Sequence, residues 1–119
     1  MIYYGYREIK AGYIQYKVFG TKIPSGYDIH GIDVSKHQSI INWKSVKKMK
    51  VEDVKIDFAF IKATEGAQSM DKLFFQNKLR ARQAGICIGA YHFYLTNRDP
   101  STQANNFSRI VDLKKGDLP

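Results

Sequence analysis

Five side chains are of the types that handle a polar substrate, and each stands near the end of an apolar run: Asp33, Lys62, Glu65, Tyr91 and His92. Asp33 lies in Gly31-Ile32-Asp33-Val34, followed by Ser35, Lys36 and His37. Lys62 and Glu65 bracket Lys62-Ala63-Thr64-Glu65-Gly66, and Tyr91, His92 and Tyr94 close Gly89-Ala90-Tyr91-His92-Phe93-Tyr94. Polar groups on apolar strands cost energy to bury unless they are paired. Lining a polar cleft at the strand ends avoids that cost. Aromatic faces near carboxylates suit a sugar groove, because a pyranose ring offers apolar C–H faces and a rim of hydroxyls. Structural explanations stand beside these. Asp33 is equally suited to bonding a backbone turn, Lys62 to pairing with Glu65, and His92 to a core position with its nitrogens satisfied. His30, His37 and His92 share no tight metal-ligand spacing with cysteines or carboxylates. Phosphate-loop, dinucleotide and Gly-x-Ser-x-Gly motifs are absent.

The elements that would position these residues follow an alternating pattern. Apolar runs at 31–34, 57–63 and 86–93 read as adjacent parallel strands in that order. Between them, Trp43, Val46 and Met49 mark one helix face over 42–49. A second helix is expected from a cap at Asp71 to about Ala84, with Phe75 and Leu79 on its apolar side and Gly85 as its stop. A third spans Ser101 to Leu113, with Ala104, Phe107, Ile110 and Val111 on one stripe. Such alternation predicts an α/β fold with a parallel sheet and right-handed crossovers, in which chemistry gathers at the C-terminal strand ends. Residues 1–26 differ in texture. Five tyrosines crowd there, β-prone stretches flank Ala11-Gly12, and Pro24-Ser25-Gly26 punctuates. This reads as an N-terminal extension or linker, a hairpin around Ala11-Gly12 being one form, with the main domain at 27–119.

Four blocks then resemble glycoside hydrolase family 25, in identity, order and spacing. They are Gly31 to Gln38, Ile41-Asn42-Trp43, Phe58 to Gly66, and Ala84-Gly85 through Gly89 to Tyr94. Gln103, Ala104 and Phe107 also sit where that family has its Q-A-x-x-F helix. The resemblance implies a modified TIM-like (β/α) barrel, here its N-terminal part with three β-α units after the short β-prone extension. It implies a lysozyme (N-acetylmuramidase) that cuts the β-1,4 bond between N-acetylmuramic acid and N-acetylglucosamine in peptidoglycan, without metal or organic cofactor. Asp33 would be the first-strand active-site carboxylate, Lys62 and Tyr91 substrate contacts, and His92 and Glu65 further motif positions. The family's catalytic glutamate belongs to a fourth-strand Asp-x-Glu motif that would follow Pro119. Because glycoside hydrolysis generally uses two carboxyl groups, the 119 residues are expected to be an incomplete catalytic domain, inactive alone and prone to self-association. Glu65 is a poor substitute for the acid. The alternative is a peptidoglycan-binding or assembly protein without catalysis.

Composition is permissive. Net charge is +8, from 19 Lys and Arg against 11 Asp and Glu, which favours anionic partners, nucleic acid among them. The basic cluster Lys44, Lys47, Lys48 and Lys50 falls in a helical segment, and the aromatics fall in strands rather than among basic residues, which argues against a nucleic-acid surface. No apolar run approaches a membrane span, and the first residues lack a signal-peptide pattern. A peptidoglycan substrate nonetheless places the intact protein outside the cell or in its envelope. The single cysteine, Cys87, in Ile86-Cys87-Ile88 reads as a small buried hydrophobe.

Overall fold

The computed structural model describes residues 12–16 and 20–119. Strands β1 (Tyr13–Tyr16) and β2 (Thr21–Pro24) form an antiparallel hairpin, with Tyr13 opposite Pro24 and Tyr16 opposite Thr21. Its connection includes Gly20 at φ +63°, a left-handed conformation that glycine adopts without strain. This turn joins Tyr16 to Thr21; the hairpin expected around Ala11-Gly12 requires residues up to Ala11, which lie outside the described residues.

The main sheet carries β3 (Gly31–Val34), β6 (Phe58–Glu65) and β8 (Cys87–Phe93), with β6 in the middle and parallel to both neighbours. This is the order and direction that the apolar runs predict. Two additions were not foreseen. The short strands β4 (Lys50–Val51) and β5 (Val54–Lys55) form a tight hairpin, and β7 (Ser69–Met70) folds back antiparallel onto the end of β6. Two-residue strands are too short to leave an alternation pattern in sequence.

Helix α1 (Trp43–Lys48) starts at Asn42, whose side chain accepts the Ser45 N–H at 3.0 Å. Helix α2 (Phe74–Gln83) differs from expectation at its start and in its face. Asp71 does not cap it; the residue before the first turn is Leu73, with no side-chain cap. Its buried side is Phe74, Asn77, Lys78 and Ala81, while Phe75 and Leu79 are 53% and 57% exposed. The four-residue spacing was real, but Phe74, one position over, takes the core. Asn77 is held there because its Oδ1 accepts the Trp43 indole N–H at 3.2 Å. Helix α3 (Pro100–Ile110) begins one residue early and stops three short of Leu113. Asp99 caps it through Thr102, with Pro100 in the first turn.

Strand alternation separates the two faces of the sheet. Val34, Ala59, Ile61, Ala63 and Ile88 pack against Trp43, Phe74 and Ala81, with Phe107 and Ile110 of α3 alongside. On the opposite face the register sets Gly31, Phe58 and Cys87 in one row, and Asp33, Phe60 and Gly89 in the next. The two phenylalanine rings meet edge to face, 5.8 Å apart. Each ring occupies space that a neighbouring glycine leaves open: a Cβ at Gly31 would collide with the Phe58 ring, and one at Gly89 would lie 2.5 Å from the Phe60 ring. Gly89→Ala is therefore expected to destabilise the chain by about 1–3 kcal/mol, the usual cost of overpacking. Urea unfolding measures it. A loss no larger than that of an exposed-site substitution would show that Phe60 moves aside freely.

The last residues are tied down. Arg82 of α2 grips the Asp117 carboxylate with two nitrogens, the Lys114 N–H adds a third bond at 2.8 Å, and the Leu118 N–H donates to Ile88 O at 2.8 Å beside β8. Burial alone would raise the Asp117 carboxyl, but the Arg82 and Lys114 hydrogen bonds, with the Arg82 and Lys78 charges, outweigh it and hold the group below the ordinary value. No helix among the described residues is long and apolar enough to cross a membrane.

Candidate active site

Asp33, Lys62 and Tyr91 stand on the sheet face that the helices leave uncovered, toward the C-terminal ends of three adjacent parallel strands. Asp33 is in register with Phe60, one alternation before Lys62, and Lys62 is in register with Tyr91. Asp33 is exposed, and its row ends in Gly89, which has no side chain.

Lys62 and Glu65 are three residues apart, a spacing that puts side chains on opposite faces of a regular strand. A register shift between Lys62 and Thr64 breaks the alternation there. Both charged groups then reach the same side, and the Lys62 ammonium donates to Glu65 Oε2. The Ala63 carbonyl accepts the N–H of Asp71 at 2.8 Å. Lys62 is only 5% exposed; its ammonium lies 4.8 Å from the centre of the Phe93 ring, which offers a favourable cation–π contact. Glu65, accepting that hydrogen bond, is held below the ordinary carboxylate value despite some opposing burial, and the Lys62, Lys36 and His37 charges act in the same direction. Glu65 is thus an ionised partner. It is unsuited to donating a proton near neutral pH.

His92 faces elsewhere. Its Nδ1 lies 2.7 Å from Thr64 Oγ1 and its Nε2 3.0 Å from Gln103 Oε1, and its ring meets Phe107 edge-on. Gln103 cannot be turned the other way: its Nε2 donates to the Leu95 and Arg98 carbonyls, and its Oε1 accepts the Leu95 N–H. The imidazole must therefore donate from Nε2 to Gln103 Oε1, and its Nδ1 shares a hydrogen bond with the Thr64 hydroxyl. Both nitrogens are spent inside the protein, on the helix side, which leaves His92 nothing to offer a ligand on the open face.

Three buried polar side chains hold the loops that carry the site. Gln103, 1% exposed, wraps the loop after β8. Asn106 donates through Nδ2 to the Gly66 and Ser69 carbonyls, closing the turn after β6. Asp71 receives the Lys36 N–H at 2.8 Å on one oxygen and the Leu73 N–H at 2.9 Å on the other. Ser35 and Gln38 complete the loop after Asp33 as a reciprocal capping pair around the short 3-10 turn Lys36–Gln38. Sequence reasoning took Asp71 for a helix cap and gave Asn106 no role. Nothing in their spacing marks them, because their partners are backbone atoms brought close only by the fold.

Tyr91 is affected by this arrangement. Burial first, then the Asp33 and Asp71 charges, raise its hydroxyl above the ordinary tyrosine value. It therefore remains a hydrogen-bond donor throughout the neutral range. No three of the His, Cys, Asp and Glu side chains among the described residues cluster as metal ligands would.

Comparison with known proteins bears on the family and the fold. Residues 32–119 match the sequence pattern of the glycosyl hydrolases of family 25. The Escherichia coli K12 protein YegX is 42% identical over 117 residues, which is 98% of this chain and 40% of YegX. Lysozyme M1 of Streptomyces globisporus is 46% identical over 81 residues, 67% of this chain and 26% of that enzyme. Among solved structures, a family 25 glycosyl hydrolase from Bacillus anthracis superposes with a TM-score of 0.71 at 40% identity, covering 78% of this chain and 41% of that one. The bacterial lysozyme of Streptomyces coelicolor gives 0.63 at 42% identity, over 71% and 37%. The chain thus spans about two fifths of the length of YegX and of the Bacillus anthracis structure. By sequence and by fold, the chain belongs to family 25 of the glycosyl hydrolases.

Proposed function

We propose that residues 27–119 form the first part of a barrel-type muramidase domain and that residues 1–26 are an extension to it. The substrate is the peptidoglycan glycan strand, which the open sheet face would hold, and the intact protein acts outside the cell or in its envelope. The observation that carries this reading is the placement of Asp33, Lys62 and Tyr91 on one uncovered face at the ends of three parallel strands. Asp33 is the active-site carboxylate, positioned to stabilise positive charge developing at the anomeric carbon. Tyr91 donates a hydrogen bond to a sugar oxygen. Lys62 and Glu65, locked as a pair, present a donor and an acceptor side by side, a combination suited to hydroxyl or acetamido groups. His92 acts one step back, by fixing the end of β8 against α3.

A second reading, glycan binding without cleavage, is favoured for this chain alone by the state of its carboxylates. Glu65 is held ionised, and Asp71 has both oxygens occupied. Binding is the common element, and it can be tested directly. Titrating the isotopically labelled chain with soluble GlcNAc–MurNAc oligomers should shift the backbone amide signals of Asp33, Lys62, Glu65 and Tyr91. Shifts confined to the helix side, or none at millimolar glycan, would remove the support for a glycan groove here.

A further inference from the structure

We propose that Asp71 is a positioning residue of this site: its buried carboxylate locks the loop leaving Asp33 to the loop leaving Lys62 and Glu65. The proposal rests on the muramidase reading for what the site is used for, and on geometry for the rest. Asp71 is 4% exposed, yet among the described residues no lysine, arginine or histidine forms an ion pair with it. Two backbone N–H groups compensate its charge instead, one from each side: Lys36, three residues after Asp33, and Leu73, at the entrance to α2. Its own N–H is fixed by the carbonyl of Ala63, between Lys62 and Thr64. One residue therefore joins the end of β3, the irregular end of β6 and the start of α2.

Both carboxylate oxygens act as acceptors, so an amide cannot replace the group. An Asn at this position would turn an NH2 toward one of the two N–H donors and lose that bond. No cation pairs with the carboxylate among the described residues, and a charge buried in this way acts over several ångströms with little screening. Tyr91 receives that field together with that of Asp33. Lys62, in register with Tyr91, directs its ammonium to Glu65 and Phe93 instead. Asp71 thus acts on the site twice, by fixing where Asp33 can lie and by adding its charge to the burial and the Asp33 charge that raise the Tyr91 hydroxyl.

The two actions separate experimentally in the 119-residue chain. Amide exchange of Lys36 and Leu73 reads the clamp, and the ring-carbon NMR titration of labelled Tyr91 reads the charge. Asp71→Asn should speed exchange at Lys36 or Leu73 by about tenfold or more, the loss of a charge-assisted hydrogen bond, and should lower the Tyr91 midpoint. Ser35→Ala loosens the same loop without touching a charge, so it should speed exchange at His37 and leave the Tyr91 midpoint in place. Asp71→Glu keeps the charge with a longer arm. It should disturb exchange but keep the Tyr91 midpoint raised, and it carries the test if the Asn variant does not fold. A Tyr91 midpoint unchanged in Asp71→Asn, or lowered equally by Ser35→Ala or by Asp71→Glu, would reduce Asp71 to a turn residue. Glycan binding enters none of these readouts. A chain that binds no glycan would sink the muramidase reading and leave this test standing.

Discussion

The 119-residue chain is expected to leave peptidoglycan suspensions uncleared, while the same chain joined to the remaining share of a family 25 domain should clear them. The reason is chemical. Cleaving a glycosidic bond generally takes one carboxyl group that gives a proton to the leaving oxygen and a second that stabilises or attacks the anomeric carbon. On the open face Asp33 can fill the second role. Glu65 is held ionised by Lys62, aided by the charges of Lys36 and His37, and Asp71 has both oxygens occupied by backbone N–H groups. Neither can supply the proton. In the joined protein, Asp33→Asn should lower the rate about 10²- to 10³-fold, as expected for losing electrostatic stabilisation of the transition state. Glu65→Gln should cost far less, because it alters a contact and not the acid. Turbidity loss with cell walls measures both. Clearing by the 119-residue chain at a rate comparable to the joined protein, abolished by Glu65→Gln, would overturn the assignment and make Glu65 the acid.

What the sequence discloses about this molecule divides along a physical line. The three parallel strands are legible because strands buried against helices read as apolar runs, and Phe58 to Ala63 is nearly continuous in them. Asp33, Lys62 and Tyr91 stand out for the same reason, as polar residues interrupting those runs. Periodicity misleads where two helical faces compete. Phe75 and Leu79 satisfy the spacing, but the single buried ring of Phe74 and the Asn77 bond to Trp43 decide which side of α2 turns inward. The pairing of Lys62 with Glu65 on one face depends on an irregularity near Ala63 that no local pattern announces. Tertiary backbone contacts such as those of Asp71 and Asn106 are the least legible, since their partners are carbonyls and N–H groups that every residue possesses.

The largest expected loss of stability comes from Gln103, although it is neither charged nor apolar. Its side chain is fully enclosed and makes four hydrogen bonds, with the Leu95 N–H and carbonyl, the Arg98 carbonyl and His92 Nε2. Gln103→Leu keeps the volume and removes every partner at once. It strands the Leu95 N–H and the His92 proton in a site with no room for replacement donors or acceptors. Each such orphan costs about 1–3 kcal/mol, so a total of about 3–5 kcal/mol is expected, a large part of the stability of an ordinary domain. Gln103→Glu tests the same network from another side. It keeps the accepting oxygen but sets a second oxygen against two carbonyls, an arrangement that fits only while the carboxyl is protonated. A carboxyl that must hold its proton when folded contributes its stability at low pH and loses it as the pH rises. The deficit of Gln103→Glu relative to the original chain should therefore be smaller at pH 4 than at pH 7. The Leu variant has no proton to bind and should show no such recovery of its own. Urea unfolding of the three proteins at the two pH values decides the matter. Equal deficits for Gln103→Glu at both would mean that the loop after β8 rearranges around residue 103, and that His92 and the strand end it fixes are held by packing on Phe107 instead.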